Sequence, residues 1–280
     1  MIVEVSAVSG RSVRRACSVL GIRRQTYYSR RRGKRPEQKD AALLALLQST
    51  CNEFIAWGFW MIFYFLRNEK GLKDNHKRVY RIWKEGNLHL RVAPKRAGIR
   101  REYQELLPPG QVNQGWAMDF VSDWVVGPEK QPVRVINIMD ECSRRALWTE
   151  AHESISASKL IEILDKLVLW RGVPQYIRCD NGPKFIAEKL KQWALKNKVE
   201  LKHIQPGKPS QNGLIERLNK TLRIECLNIH WFTAMDELND SIQSWSVTYN
   251  QFRPHENLRY LSPMNYEDAN KNLYFCMVAA

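Results

Sequence analysis

The first thing missing from this 280-residue sequence is acid near its start. Between residues 5 and 36 there is no Asp or Glu, while ten Lys or Arg occupy the same stretch. Such a segment cannot neutralise itself, so it calls for a polyanionic partner. Cysteine is sparse and scattered, at positions 17, 51, 142, 179, 226 and 276. The absence of a Cys-x-x-Cys pair and of any Cys/His cluster at zinc spacing argues against a disulfide scaffold or a zinc finger. It fits a reduced, cytoplasmic setting. Long hydrophobic runs are also lacking. The uncharged, aromatic-rich run from Phe54 to Leu66 has 13 residues, short of the about 20 that a bilayer span needs, and reads as a buried helix. The first apolar run contains Glu4, so a signal peptide is not expected.

What is present is a surplus of base and enough apolar residue for a core. Net charge is +15 and 44% of residues are hydrophobic. That balance favours nucleic acid over a membrane as partner. Val13, Ala16, Cys17 and Leu20 share a helical face, Gly21 interrupts, and Arg23 to Arg30 allow a second short helix. The outline is a helix-turn-helix, or else a basic arm that orders on DNA. Either way Arg14, Arg15, Arg23 and Arg24 are set for phosphates. After a linker ending at Pro36, residues 37 to 50 read as an Ala/Leu-rich helix and 54 to 67 as an aromatic one. Asp74 or Asn75 caps a third, His76 to Glu85, which Gly86 ends. Its apolar face is Val79, Ile82 and Trp83. Its outer face, with Lys77, Arg78, Arg81 and Lys84, is either a solvated basic surface or one turned to DNA. Residues 91 to 113, with Pro108 and Pro109, read as a linker and boundary.

From residue 115 the pattern becomes one of strands. Trp116 to Val126, Val133 to Met139 and Arg145 to Glu150 are three, joined by turn signals at Gly127-Pro128 and Asp140 to Ser143. Ser156 to Trp170 is an amphipathic helix and Gln175 to Cys179 a fourth strand. Pro183 to Leu195 reads as a helix with proline in its first turn. Val199 to Ile204 is a fifth strand and Ser210 to Leu227 a last helix. Three hairpin-linked strands followed by alternating helix and strand describe an α/β mixed sheet with helices on its faces, the order of a ribonuclease H-like fold.

Three acids stand out in this basic chain. Asp119 lies inside the first strand, pointing away from the face of Met118 and Phe120. Asp180 sits just past the fourth strand, which this order places beside the first. Thirty-five residues lie between Asp180 and Glu216, which is on the last helix, whose packing stripe is Leu214, Ile215, Leu218 and Leu222. Glu216, Asn219, Lys220 and Arg223 lie on or beside the other face. Singly, each acid has an ordinary reading: a strand-edge Asp, a turn Asp, a surface Glu paired with Lys220. Jointly they are hard oxygen ligands for Mg²⁺, with Mn²⁺ as substitute, and two such ions can clamp an in-line phosphoryl displacement. Lys184, Lys208, Lys220 and Arg223 complete the residues expected at DNA.

Residues 112 to 266 resemble the integrase catalytic core shared by retroviral integrases and bacterial insertion-sequence transposases with an Asp-Asp-Glu triad. The matching motifs are WAMDFVSD around Asp119, CDNGPKF around Asp180, and HIQPGKPSQNGLIERLNKTLRIECLN around Glu216. Asp140-Glu141-Cys142-Ser143-Arg144 and the late PHENLRYLSPMNY also match. Residues 52 to 90 resemble the helical segment that precedes this core in second-frame (OrfB) products of two-frame insertion sequences. Lys184 stands where an acid is common in these transposases, and Met61-Ile62 where a base is common. The resemblance implies a DNA transposase in which Asp119, Asp180 and Glu216 hold the metals. It would hydrolyse a phosphodiester at the element's end and join the freed 3′-hydroxyl to target DNA. It also implies element-terminal and target DNA as partners, a homo-oligomer on DNA, an upstream-frame (OrfA-type) partner or fusion, and a place at the bacterial nucleoid. A nuclease that only hydrolyses, and a DNA-binding protein with an inactive core, remain as alternatives. The expected organisation is a basic segment to residue 36, a helical DNA-binding region and linker to 111, the core from 112 to 270, and a tail.

Overall fold

The computed structural model describes residues 12–21, 23–25, 37–90, 109–126, 130–205 and 212–278. The first helix, α1 (Val13–Val19), is short, with Cys17 buried and Gly21 at φ 61° just after it. Of the second expected helix only Arg23, Arg24 and Gln25 fall among the described residues. Arg14, Arg15, Arg23 and Arg24 are exposed.

Three helices form a compact module: α2 (Glu37–Glu53), α3 (Phe59–Glu69) and α4 (His76–Glu85). Their core holds Leu47, Trp57, Ile62, Leu66, Val79 and Trp83. The aromatic run behaves as a buried helix only from Phe59. Residues 54 to 58 form a turn in which Phe54 stacks on Trp57 at 4.0 Å. Asn75 caps α4 by accepting from the Lys77 amide at 2.9 Å, and Gly86 ends the helix. The outer face of α4 is more engaged than its sequence discloses. Asp40 on α2 pairs with Arg78 at 2.8 Å and with Arg81 at 2.7 Å, and Arg81 also pairs with Glu85. These guanidiniums tie two helices together; Lys77 and Lys84 stay exposed.

The sheet consists of β1 (Gly115–Val126), β2 (Lys130–Asp140), β3 (Ala146–His152), β4 (Tyr176–Cys179) and β5 (Glu200–His203). Its order is β3-β2-β1-β4-β5, the first three antiparallel and the last two parallel to β1. This is the ribonuclease H-like arrangement expected from the order of elements. Side chains alternate along β1 and so supply two cores. Trp116 and Met118 face α5 (Ala157–Arg171) and α6 (Glu188–Asn197). Ala117, Val121 and Val125 face α7 (Gly213–Leu222) and α8 (Met235–Gln251). A π turn, Arg223–Leu227, continues α7. The last helix, α9 (Pro263–Val278), runs through residue 270 without a break.

The helix expected from Pro183 begins instead at Glu188. Asp180 accepts the Gly182 amide at 2.9 Å, and residues 182 to 186 turn so that Phe185 stacks on Phe120 at 4.8 Å. Burying that ring on β1 outweighs proline's liking for a first helical turn.

One knot of buried acid locks the end of the sheet. Asp140 accepts from the amides of Asn113 at 2.6 Å and Ser143 at 2.7 Å. Glu141 accepts from Tyr176 Oη at 2.6 Å and Arg178 Nε at 2.7 Å. Glu267 of α9 is buried between Arg145 and Arg171, each at 2.6 Å. Burial works against its charge, but the two guanidiniums win and hold its carboxyl below the ordinary value. No helix among the described residues is long and apolar enough to cross a membrane.

Candidate active site

The site grows from a break in strand pairing. β1 and β4 pair in parallel for three residues, ending at Ala117 opposite Arg178. Two residues further along each chain stand Asp119 and Asp180. Parallel register therefore carries both acids to the same level of the sheet, as expected from the strand order. Asp180 is fixed by its turn. A Cβ on Gly182 would meet Asp180 Oδ1 at 2.9 Å, so the close turn wants glycine there. Asn181 Nδ2 donates to the Ile204 carbonyl at 2.8 Å, tying the same loop to the end of β5.

Asp119 points into the α7 side of the sheet, between Ala117 and Val121. Its cross-strand neighbour on β2 is Asn137, which is fully buried. Asn219 of α7 bridges the two: its Nδ2 donates to Asp119 Oδ2 at 2.8 Å, and its Oδ1 accepts from Asn137 Nδ2 at 2.7 Å. Asp119 Oδ1 accepts the Phe120 amide at 2.8 Å. No cation pairs with Asp119 among the described residues. Burial pushes its carboxyl up to about 6, with the charges of Asp180 and then Glu216 adding to the rise against the pull of these hydrogen bonds.

α7 follows the expected pattern, with Ile215, Leu218 and Leu222 buried and Leu214 partly so. Glu216 stands one turn before Asn219 and is exposed. Its field reaches Asp119, so three carboxylates gather at one end of the sheet. They do not close into a coordination group: among the described residues no three His, Cys, Asp or Glu side chains are close enough to hold one ion. The donor chemistry nevertheless fits a hard cation, being oxygen only and short of positive charge.

The basic residues fare unequally. Lys220 is exposed beside Glu216 and makes no ion pair among the described residues. Arg223, expected to reach along DNA, donates from Nη2 to the Ser122 carbonyl of β1 at 2.8 Å and so helps dock the helix. Lys184 Nζ lies 5.8 Å from the Phe120 ring. Lys208 lies outside the described residues. Asn137 escaped the sequence reading, and Asn219 was placed on the helix without a partner. The available signal was polarity: Asn137 interrupts the apolar alternation of Val135 and Met139.

The description "Integrase core domain" matches this chain twice, over residues 109–209 and 197–263. The uncharacterized 31.7 kDa protein of insertion element IS407 from Burkholderia multivorans is 35% identical, over 91% of this chain and 90% of its own. The uncharacterized 39.2 kDa protein of insertion element IS476 from Xanthomonas euvesicatoria is 32% identical, over 91% and 72%. Transposase InsD of insertion element IS2 from Escherichia coli is 25% identical, over 81% and 78%. With an integrase core description across residues 109–263 and insertion-element relatives along nine-tenths of its length, the chain belongs to the insertion-sequence transposases with an integrase core.

Proposed function

We propose that this transposase cuts and joins DNA at Asp119, Asp180 and Glu216, which hold divalent metal, Mg²⁺ or Mn²⁺, at two positions. One observation carries the reading: the parallel register that levels Asp119 with Asp180, where burial first, and then the charges of Asp180 and Glu216, raise the Asp119 carboxyl. An uncompensated acidic cluster in a protein of net charge +15 asks for a cation. Bound metal supplies activation of the attacking oxygen and neutralisation of charge on the leaving one. The chain's own groups do the rest. Asn219 fixes the rotamer of Asp119 and keeps one of its oxygens occupied. The Asp180 turn presents its carboxylate from a backbone braced by Gly182 and Asn181. Lys220 lies one residue past Asn219 and holds a flanking phosphate.

The substrate is the DNA at the element's ends, then target DNA that receives the freed 3′-hydroxyl. Exposed Arg14, Arg15, Arg23 and Arg24 extend the phosphate grip, and the protein works at the nucleoid as an oligomer, with an upstream-frame partner or as a fusion to it. The test is cleavage and strand transfer on terminal oligonucleotides at saturating protein. Asp180→Asn should bind DNA and neither cut nor join, and added chelator should reproduce that loss in the wild type. Cutting by Asp180→Asn at the wild-type rate refutes the assignment; cutting by the wild type without joining leaves only a nuclease.

A further inference from the structure

A cavity of about 370 Å³ lies where the helical module meets the core, between Trp60 and Met61 of α3 and residues of α7, Arg144 and the Arg253–Tyr260 segment. Its charge is one-sided. Arg144, Arg217 and Arg253 line it, with Glu256 the only acid among the lining residues. Arg253 is already committed to Glu225, Nε to Oε1 at 2.9 Å. Arg144 is not committed: it makes no ion pair among the described residues, and its buried Nη1 has no hydrogen-bond partner. His255 Nε2, in the same wall, is a second buried polar atom without a partner. Arg217 is exposed and likewise makes no ion pair among the described residues.

Arg144 owes its place to the knot of buried acids. It sits at φ 63°, in the left-handed region, with its amide bonded to the Asp140 carbonyl at 3.0 Å. Its neighbour Arg145 turns to Glu267, while Arg144 turns the other way, towards the cavity. A guanidinium with one buried donor left unbonded costs more than an apolar residue in the same wall, and a planar fork of donors matches phosphate oxygens. His255 is held well below its ordinary value by burial first, then by the charges of Arg253, Arg144 and Arg217. It is therefore a neutral ring and adds no charge to the wall.

We propose that this cavity seats a phosphate of the bound DNA strand, gripped by Arg144 and Arg217 with His255 as a third polar contact. The DNA source rests on the cutting-and-joining reading above. On α7 the cavity is lined by Leu214, Arg217, Leu218 and Thr221, so Arg217 stands on the flank next to Glu216, and a strand whose scissile phosphate meets the three acids reaches the cavity by bending round this helix. The site thereby reads the position of the strand at the seam between module and core, away from the reacting atoms.

The test uses the full chain without metal, first with inorganic phosphate and then with a terminal-DNA oligonucleotide. At constant ionic strength, phosphate should raise the melting temperature of the wild type and not that of Arg144→Met, which keeps the side chain's bulk. Arg217→Gln, at an exposed position, serves as the second variant should the strained turn reject the first. On DNA, each variant should lower the slope of log affinity against log salt by about one and weaken binding roughly three- to tenfold at fixed salt. A phosphate response that chloride reproduces, or that both variants keep, overturns the site. A response lost in the variants with an unchanged DNA slope overturns the DNA assignment in favour of free phosphate. No chemistry is read in these measurements. Failure here would leave wild-type cleavage intact, whereas failure of the catalytic reading would leave these binding results standing.

Discussion

Two sets of acids lie in the same domain, and they are treated in opposite ways. Asp140, Glu141 and Glu267 are buried and saturated with amides, hydroxyls and guanidiniums. Asp119, Asp180 and Glu216 meet amides at most and no cation among the described residues. In the first set each charge is answered within the chain, so it fastens α9 and the β2–β3 turn to the sheet. In the second the charge is left to be answered from outside. Residue type does not separate the two sets; what differs is that the first is answered inside the chain, by guanidiniums at Glu141 and Glu267 and by four amide and hydroxyl donors at Asp140.

The sharpest way to break the comparison is to neutralise one member of each set. Asp119→Asn, Asp180→Asn or Glu216→Gln should cut the rate of strand cleavage on the order of a thousandfold or more, since several kcal/mol of charge stabilisation are lost at about 1.4 kcal/mol per decade. Thermal unfolding of the Asp180 and Glu216 variants should stay near that of the wild type, and Asp119→Asn, which removes a buried charge, should unfold no lower than the wild type. Glu267→Ala should do the reverse. It strands two buried guanidiniums, so urea unfolding should show a loss of about 3–5 kcal/mol, with cleavage by the remaining folded protein unchanged. Equal effects of the two kinds of variant on stability would erase the distinction.

A pH titration sharpens it further. Asp119 is raised to about 6 from an ordinary 3.8. The folded state then binds this proton more tightly than the unfolded one. Its contribution to stability is fully present below pH 3.8, falls as pH rises to about 6, and is flat beyond. The slope is at most about 1.4 kcal/mol per pH unit and should vanish in Asp119→Asn. If urea unfolding between those pH values has the same slope in both proteins, Asp119 is not the group. The smallest effect concerns Lys220. Replacing it by Ala should weaken terminal-DNA binding by on the order of 1 kcal/mol, less at high salt, while cleavage at saturating DNA survives. Normal binding across the salt range would make Lys220 a solvated surface residue only.

How legible this was in the sequence depends on the range of each interaction. Alternation along β1, the Asn75 cap and the Leu-rich stripe of α7 are written within a few residues, and the structure keeps them. The level of Asp119 with Asp180 needed only the strand order. Partners far apart in the chain left no local trace. Arg78 and Arg81 looked like a free basic face because Asp40 lies 38 and 41 residues away. The Asn219–Asn137 bridge spans 82 residues, and Glu267 reaches Ser143 across 124. Pro183 misled for a related reason: its local preference for a helix start yields to Phe185 packing on Phe120, which lies on another element.

The early end of pairing between β1 and β4 has a further consequence, for solubility. Beyond Ala117 one side of β1 has no strand beside it, and a bare strand edge is a template on which another chain can assemble. Here that edge is dressed by the π turn that continues α7 and the segment leading on to Phe232. Arg223 takes the Ser122 carbonyl, and the Phe232 carbonyl takes the Val126 amide at 2.7 Å. The element that delivers Glu216 is thus also the guard of a sticky edge. A lesion that lifts α7 from the sheet would displace Glu216 and bare the edge to aggregation in the same movement, which ties keeping the candidate site built to keeping the protein dispersed.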